Sequence, residues 1–445
     1  MSADLMGVNE KVVRKISKLK DEPKWMLEIR LAALKIYEEM SEPKWGPDLT
    51  GLDLSKIKTY VAPETEVKRT WEDVPKKVRE TFDELGIPEA EQEGLAGVGA
   101  QYDSEMVYHN IKKQIEKTGV AYLPFDEAVK DKRWEKVVRE YFGKLVSANE
   151  HKYSALHYAV HSGGTFLYIP KGVSVEIPIQ SYYRFNAVSA GQFEHTLIIV
   201  DEGADLHFIE ACSAPKLSVA NLHAGCVELF VQKNARLKFS SVENWSKNMY
   251  NLNTKRAIVE EDGEMEWVTG NFGSKVSMIY PCTILEGDGA RMEYTGVAFA
   301  GEGQDLDTGA KVIHIGKNTC SYMDMRGLSQ AGGRVMSRSL VKVASKAENA
   351  KGFADCKSLI LDEKSSADAV PVIEVKNNTA EVAHEASVGK LAEEQLRYLR
   401  TRGISEKAAR ALLVRGFTEK TTKELPVEYA MEMNKLLRLE MEGVG

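Results

Sequence analysis

Several features are missing from this sequence. It contains no run of about 18 apolar residues, which a membrane-spanning helix needs. Its start, MSADLMGVNEKVVRKISKLK, lacks the apolar core and cleavage site of a signal peptide. No phosphate-binding GxxxxGK[ST] loop occurs, so the chain is predicted neither to bind nucleotide nor to act as an ATPase. The net charge of −7 argues against binding nucleic acid. We therefore predict a cytoplasmic protein whose partners include no membrane and no nucleic acid.

Cysteine is also scarce. The chain of 445 residues has five cysteines, an odd number spread over a long stretch, at positions 212, 226, 282, 320 and 356. Such spacing does not indicate a disulfide framework. Free thiols in a reducing compartment are expected instead.

The two ends of the chain have helical patterns. Near the start, Trp25, Ile29, Ala33, Ile36 and Met40 recur at spacings of three and four, which places them on one face of a helix. Further helices are predicted around 72–85, 103–117 and 134–148. After residue 390, the tract ISEKAARALLVRG predicts a helix that begins at an N-cap serine. We predict a helical region over 1–150, a β-rich core over 151–388 and a second helical region over 389–445.

The core contains a repeat. Gly or Asn ends one apolar run and opens the next at intervals of 31, 31, 29, 26, 29, 31 and 29 residues. Both residue types adopt the left-handed backbone of tight turns. The turn residues are Gly172, Gly203, Asn234, Gly263, Gly289, Asn318, Asn349 and Asn378.

A constant turn phase over eight units favours a solenoid over a Greek-key sandwich, which could also supply regular strands. Because the runs are short and rich in β-branched and aromatic residues, the predicted solenoid is a parallel β-helix, in an α+β chain with helical ends. The C-terminal helices are expected to cover its open end or to offer a surface to a partner.

The repeat phase places distant residues side by side. Cys356 and Glu385 each lie seven residues after a turn residue, so they are predicted to stack about 5 Å apart. With His384 they would offer sulfur, nitrogen and oxygen donors to iron or zinc. Cys212 and Glu243 share another phase, and Arg184 or Lys255 could supply a cation near that thiol.

Cys212 and Cys356 are five coils apart, roughly 24 Å at strand spacing. They cannot share a ligand, so a common process would need something to travel between them. The simpler alternative for each cysteine is a small buried side chain, with His384 and Glu385 at a solvated strand end. Cys226, Cys282 and Cys320 are interpreted as packing residues. His157 and His161 have zinc-compatible spacing but no third ligand in the sequence pattern.

The motifs SGGTFLYIPKGV, YYRFNAVSAGQFEHTLIIVDEGA, IEACSAP, VIHIGKNT and LRTRGISEKAARALLVRGF resemble the SufB/SufD family of iron–sulfur cluster assembly scaffolds, and within it SufB. The resemblance covers nearly the whole chain. It implies a right-handed β-helix, a SufC-type ABC ATPase bound to the C-terminal helices, and pairing with SufD or a second copy of the chain. It also implies a transient iron–sulfur cluster, with reduced flavin as a possible electron source.

The resemblance also implies roles for individual residues. Cys212 would accept persulfide sulfur from a cysteine desulfurase, and the sulfur would then move along a path of five further residues. Cys356 and Glu385 would bind the cluster with His384 nearby. Many bacterial members have Gln at the position of Glu243 and Glu at that of Ala383, so this chain departs from the family pattern at both. The implied sulfur path comprises Arg184, Asn186, Glu243, Trp245 and Lys255.

Two other functions remain open at this point. A SufD-like structural partner would have the same fold but would receive no sulfur. A polysaccharide-active β-helix enzyme would show surface aromatic residues in register and usually a secretion signal, which is missing here.

Overall fold

The computed structural model describes residues 4–62, 67–83, 95–425 and 427–441. Its helices are α1 (Glu10–Leu19), α2 (Lys24–Glu39), α3 (Lys76–Asp83), α4 (Lys113–Glu116), α5 (Phe125–Ala128), α6 (Glu135–Tyr141), α7 (Lys152–Val160), α8 (Glu393–Thr401), α9 (Glu406–Lys423) and α10 (Val427–Met441). Within these residues, no helix is long and apolar enough to cross a bilayer.

The strands before the repeat are β1 (Leu5–Met6), β2 (Lys58–Tyr60), β3 (Gly97–Tyr102), β4 (Glu105–Ile111) and β5 (Ala121–Pro124). Those of the first coils are β6 (Gly164–Ile169), β7 (Ser174–Arg184), β8 (Gly191–Gln192), β9 (His195–Val200), β10 (Asp205–Ser213), β11 (Asn221–His223), β12 (Cys226–Val231), β13 (Arg236–Asn244), β14 (Met249–Asn251) and β15 (Thr254–Val259). Those of the later coils are β16 (Glu264–Phe272), β17 (Val276–Ile279), β18 (Cys282–Leu285), β19 (Arg291–Ala300), β20 (Asp305–His314), β21 (Cys320–Ser329), β22 (Arg334–Val343), β23 (Lys351–Ile360), β24 (Ser366–Val375) and β25 (Glu381–Lys390).

The repeat folds as a parallel β-helix, which confirms the predicted architecture. Each coil gives one strand to sheet I, whose order is β25-β23-β21-β19-β16-β13-β10-β7-β3-β4. The rest of the coil gives sheet II either two short strands or, from β20 onward, one long strand. Neighbouring coils pair in parallel, as in β10 with β13 and β13 with β16.

Left-handed turns mark the coils much as predicted. Gly172, Gly203, Asn234, Gly289, Asn318 and Asn349 all have positive φ. In the fourth turn the positive φ belongs to Asp262 and not to Gly263. The last turn differs, because the Asn377 side chain accepts a hydrogen bond from the Thr379 N–H at 2.8 Å, and Asn378 has no positive φ. This last difference shifts the register of β25.

The core lies between sheets I and II and runs the length of the β-helix, from Leu167 and Phe208 through Trp267 to Met325 and Cys356. A second apolar cluster packs the N-terminal helices against the outer face of sheet II. A third packs the C-terminal helices against the outer face of sheet I, where Val414 and Met433 lie with Val268 and Phe299. The expected cover of the open end by these helices is therefore wrong: they lie along the side.

The first 150 residues contain more than helices. Helix α2 forms as predicted, although its buried face carries Met26, Arg30, Ala33 and Leu34 and so is rotated from the predicted one. The predicted helix over 103–117 is mostly strand β4, which forms a hairpin with β3 at the edge of sheet I. Helix α3 lies within the predicted helix at 72–85, whose last two residues, 84 and 85, are outside the described residues. The division at residues 150 and 388 stays a prediction.

The two ends of the β-helix differ. Strands β3 and β5 pair with the first coil of sheets I and II and close the N-terminal end. Strands β24 and β25 form the last coil, and Ile373, Val375 and Val388 are 43%, 44% and 45% exposed there. The C-terminal end of the β-helix is thus open within the described part of the chain.

Candidate functional site inside the β-helix

Cys212 lies inside the β-helix on β10 and is 2% exposed. Its register partner on β13 is Glu243, as the repeat phase predicts. Arg184 is in register with the next residue, Ser213, and donates to its hydroxyl at 2.8 Å, so its guanidinium belongs to the opposite face of the strand. Of the two cations considered for this thiol, Lys255 is the one that lies inside.

Lys255 joins two buried carboxylates. Its Nζ donates to Oε1 of Glu243 at 3.1 Å, to the Ser241 hydroxyl at 2.9 Å and to Oε1 of Glu210. Burial alone would lower the pKa of Lys255, but Glu210 and Glu243 raise it, so the ammonium stays charged. The three charged groups form a compact anionic cluster within the apolar core.

A second set of polar side chains continues from Glu243. Trp245 Nε1 and Asn251 Nδ2 donate to Oε2 of Glu243 at 3.1 and 2.5 Å. The Asn251 amide oxygen lies 2.7 Å from Nδ1 of His223, whose Nε2 lies 2.5 Å from Oε1 of Glu194. We call Glu194, Glu210, His223, Glu243 and Lys255 the interior charge cluster.

The pKa shifts in this cluster follow from burial and charge. Burial raises the pKa of Glu210, while Lys255 opposes that shift. Burial would also raise the pKa of Glu243, but Lys255 and His223 lower it overall. Burial would lower the pKa of His223, but Glu194 and Glu243 raise it to about 9. The two cations therefore keep Glu243 ionised and leave Glu210 as the more basic carboxylate.

Cys212 itself is held as a neutral thiol. Burial raises its pKa well above the usual range, and Glu210 and Glu243 raise it further, against the charge of Lys255. A thiolate forms here only when its proton passes to another group. Glu210 lies two residues away on the same face, and its Oε2 is buried without a hydrogen-bond partner among the described residues.

A continuous column of inward side chains connects this cluster with Cys356. Glu210 is in register with Ser241, and Ser241 with Thr269. The next members are Gly296, Met325 and Cys356. Tyr294 fills the space beside Gly296, and its hydroxyl oxygen lies 2.8 Å from the hydroxyl oxygen of Thr269. The two cysteines thus face the same interior, five strands apart.

The predicted stacking of Cys356 on Glu385 is wrong by one residue. Cys356 pairs with Ala386, and Glu385 pairs with Asp355. Because successive side chains alternate between faces, Cys356 points inward and Glu385 outward, where it is 60% exposed and 4.0 Å from Lys357. The altered last turn makes this coil step 30 residues long, one more than the turn residues suggest.

His384 shares the inner face with Cys356. It pairs with Ala354, so it lies one strand and two residues from Cys356, roughly 8 Å between backbones. Its Nδ1 is buried and has no hydrogen-bond partner among the described residues. Burial raises the pKa of Cys356 to about 11, against a hydrogen bond with Ser339. A sulfur and a nitrogen donor therefore sit together just inside the open end.

Comparison with known proteins assigns the family. A family model described as "SUF system FeS cluster assembly, SufBD core domain" matches residues 183–417. An "Iron-sulfur cluster assembly SufBD family protein" of Staphylococcus epidermidis is 48% identical over 98% of this chain and 94% of its own length. One from Staphylococcus aureus is 47% identical over the same shares. The chain belongs to the SufBD family.

Membership identifies this SufBD chain as a component of iron–sulfur cluster assembly, which favours that role over the polysaccharide-active alternative. The matched region contains the interior charge cluster, Cys356 and His384. Sequence reasoning missed Glu194, Glu210 and His223. His223 could have been found, because it pairs with Asn251 on the neighbouring coil by the same repeat.

The remaining residues of the implied sulfur path divide between two environments. Trp245 borders the interior charge cluster, with its ring 4.5 Å from that of His223. Asn186 lies in the turn after β7, where its backbone N–H donates to Asp103 and its side-chain nitrogen is buried without a partner among the described residues. All five cysteines of this SufBD chain are free, as predicted, and Cys320 is the exposed one.

Proposed function

We propose that this chain is a SufB-type scaffold that accepts sulfur at Cys212 and assembles a transient iron–sulfur cluster at its open end. The observation that carries the proposal is the shared interior: Cys212 and Cys356 face the same core, linked by Ser241, Thr269 and Gly296. The hydroxyl groups of Ser241 and Thr269 make this path more polar than the large apolar residues usual in a core, while Met325 completes the column before Cys356.

Sulfur transfer to Cys212 begins with proton removal. Glu210 takes the thiol proton, the thiolate attacks the outer sulfur of the persulfide on a cysteine desulfurase, and the desulfurase thiolate leaves with that proton. Cys212 then carries the persulfide, and no electron has been consumed. Conversion of that sulfur to sulfide takes two electrons, for which reduced flavin is the proposed source.

The cluster is cargo, built and passed on in the cytoplasm. Cys356 and His384 supply inward donors from one chain, and an incomplete protein ligand set suits a cluster that must leave. Glu385 can join them only from the outer face, so we propose that it reaches iron at the boundary with a second chain.

A second SufBD chain, either SufD or another copy, is the proposed partner at the open end. The last coil exposes Ile373, Val375 and Val388, and β24 and β25 end their sheets with unpaired edges in the described chain. Exposed apolar edge strands are sites of strand pairing. Pairing there would bring two copies of Cys356 towards one boundary.

A SufC-type ATPase is the proposed partner of the C-terminal helices. Leu412 on α9 and Met431 on α10 are exposed beside a groove between the helices. Arg415, Lys435 and Arg438 line the same groove. An apolar floor with a basic border fits a partner with an apolar projection and acidic flanks. Leu412→Glu should abolish co-purification with the ATPase, whereas an unchanged complex would exclude this groove.

Anaerobic reconstitution with iron(II), cysteine, a desulfurase and a reductant tests the central proposal. Wild type should form a persulfide on the Cys212 peptide, detected by alkylation and mass spectrometry, and a cluster absorption spectrum. Cys212→Ala should lose both. Cys356→Ala should keep the persulfide and lose the cluster, while Cys320→Ala is the matched control and should keep both.

Three results would change the assignment. An unaltered cluster in Cys356→Ala would remove Cys356 as a ligand. A cluster that survives His384→Ala but not Glu385→Gln would place the site on the outer face. Absence of persulfide on wild-type Cys212 with an active desulfurase would make the chain a SufD-like structural partner.

A further inference from the structure

Three potential metal-binding side chains meet outside the β-helix interior. His157 lies on α7, His195 begins β9, and Cys226 begins β12 as the register partner of His195. Ligand atoms from the three residues all lie within 4.8 Å of one another, and the residues are 1%, 0% and 1% exposed. Cys226 packs in the apolar cluster on the outer face of sheet II, so this site is separate from the interior charge cluster.

A hydrogen-bond acceptor holds the outer nitrogen of His157, and a carboxylate lies near the outer nitrogen of His195. His157 Nδ1 lies 2.9 Å from the Ala224 carbonyl oxygen, which can only accept, so this nitrogen carries the proton. His195 Nε2 lies 3.2 Å from Oε2 of Glu228 without a well-aligned hydrogen bond, and the negative charge of this carboxylate favours a proton on that nitrogen. Histidines that bind metals are anchored in this way by carbonyl or carboxylate groups.

The inner nitrogens are then left facing each other. When the His195 proton is on Nε2, beside Glu228, His157 Nε2 and His195 Nδ1 both present lone pairs, and they lie 3.0 Å apart. Two lone pairs at that distance need a cation between or beside them, either a proton or a metal ion. The Cys226 sulfur lies at the same place and can supply a third ligand to a metal ion, which a shared proton would not use.

Glu228 is held in a fixed position beside His195. Its carboxylate is fully buried and accepts hydrogen bonds from three backbone N–H groups in the turn after α6. The donors are Gly143, Leu145 and Val146, at 2.7, 2.7 and 3.0 Å. The Tyr158 hydroxyl lies 3.4 Å from Oε2 and 3.9 Å from the Cys226 sulfur.

We propose that His157, His195 and Cys226 bind one divalent transition-metal ion, with zinc(II) as the best fit to two imidazoles and a thiolate. The ion ties α7 to two strands of sheet II and so fastens the N-terminal region to the β-helix. Because the three residues are fully buried, the ion enters as the chain folds. His161, the other member of the HxxxH pair, is not a ligand: its Nε2 faces the Arg30 guanidinium at 3.4 Å.

The test uses the full chain with Cys356→Ala, which removes the proposed cargo ligand. The protein is expressed in minimal medium with zinc(II) or cobalt(II) and purified in EDTA. We expect about one metal ion per chain, and for the cobalt form a thiolate-to-cobalt charge-transfer band. Zinc X-ray absorption should show nitrogen at about 2.0 Å and sulfur at about 2.3 Å. These spectra need no variant at the site itself.

Variants then identify the ligands. Cys226→Ala and His195→Gln should each reduce the bound metal at least tenfold, whereas Cys282→Ala, another buried cysteine of sheet II, should keep it. Less than about a tenth of an ion per chain in both preparations, or equal metal in Cys226→Ala and Cys282→Ala, would overturn the proposal in favour of a shared proton.

Discussion

Lys255 is the residue whose removal most directly tests the interior charge cluster. Lys255→Met keeps the length of the side chain and removes the charge that Glu210 and Glu243 share. The Lys255 and carboxylate side chains are 1%, 0% and 1% exposed, so water cannot replace the ammonium. Breaking a buried ion pair costs about 3–5 kcal/mol.

A second argument sets the upper end of that range. The variant can remove the uncompensated negative charge by protonating Glu210, whose pKa is already raised. Protonating a carboxyl of ordinary pKa at pH 7 costs roughly 3.7 kcal/mol. We therefore expect a loss of about 3–4 kcal/mol in the free energy of unfolding at pH 7. Because the folded variant then binds one proton more than the unfolded chain, the loss should shrink by about 1.4 kcal/mol per pH unit towards pH 5.

Urea unfolding followed by tryptophan fluorescence at pH 5, 6 and 7 measures both quantities. Lys233→Met is the matched control, because Lys233 pairs with Glu261 on the solvated surface at 2.7 Å, so its loss should change the free energy of unfolding far less. In a double-mutant cycle, Glu243→Gln should recover at least about 1 kcal/mol of the Lys255→Met loss. A loss below about 1 kcal/mol at pH 7, or one independent of pH, would refute the assignment of Lys255 as counter-charge.

Three further predictions concern the same interior and its open end. The folded-state pKa of His223, about 9, lies above its unfolded value, so its stabilisation is present below pH 6.5 and should fall by about 1.5 kcal/mol by pH 8. Its buried neighbours are Glu194, Glu243, Asn251 and Trp245, and His223→Gln should flatten the pH profile of urea unfolding. Gly296→Ala would place a methyl group 2.4 Å from the Tyr294 hydroxyl. It should cost about 1–3 kcal/mol and slow cluster formation without preventing persulfide on Cys212, whereas Gly389→Ala, with open space around it, should do neither. Ile373→Glu should turn a dimer into a monomer in analytical ultracentrifugation, with Val188→Glu, an exposed residue far from the open end, as control; a dimer that persists would exclude this surface.

The coil architecture was predictable because the chain repeats one local requirement. Gly203, Asn234 and Asn349 each take a left-handed turn, so the phase between them carries over to the strands. That phase correctly stacked Cys212 on Glu243. It failed for Glu385, because Asn378 is not a left-handed turn residue and the last coil step is 30 residues, one more than the interval between Asn349 and Asn378. A single residue reverses the face of every later side chain in the strand.

Other features depended on tertiary contacts that periodicity does not report. Strand β4 was predicted as helix because Met106, Val107 and Tyr108 offer apolar residues in either pattern, and pairing with β3 decided the outcome. His195 and Cys226 each lie eight residues before a turn residue, so the repeat stacks them, but His157 gave no joint signal because it reaches them from a helix that only the fold brings near. Likewise, the position of the C-terminal helices follows from apolar residues on the outer face of sheet I.

The interior charge cluster also constrains how this chain can change over evolutionary time. It combines three carboxyl groups with two cations inside a core, where each charged group is stabilised by particular neighbours and not by solvent. A substitution at one position leaves a partner uncompensated, so single steps should be rejected even where the double change is tolerated. We expect positions 194, 210, 223, 243 and 255 to covary among SufBD proteins, with the total interior charge preserved more strictly than any one residue.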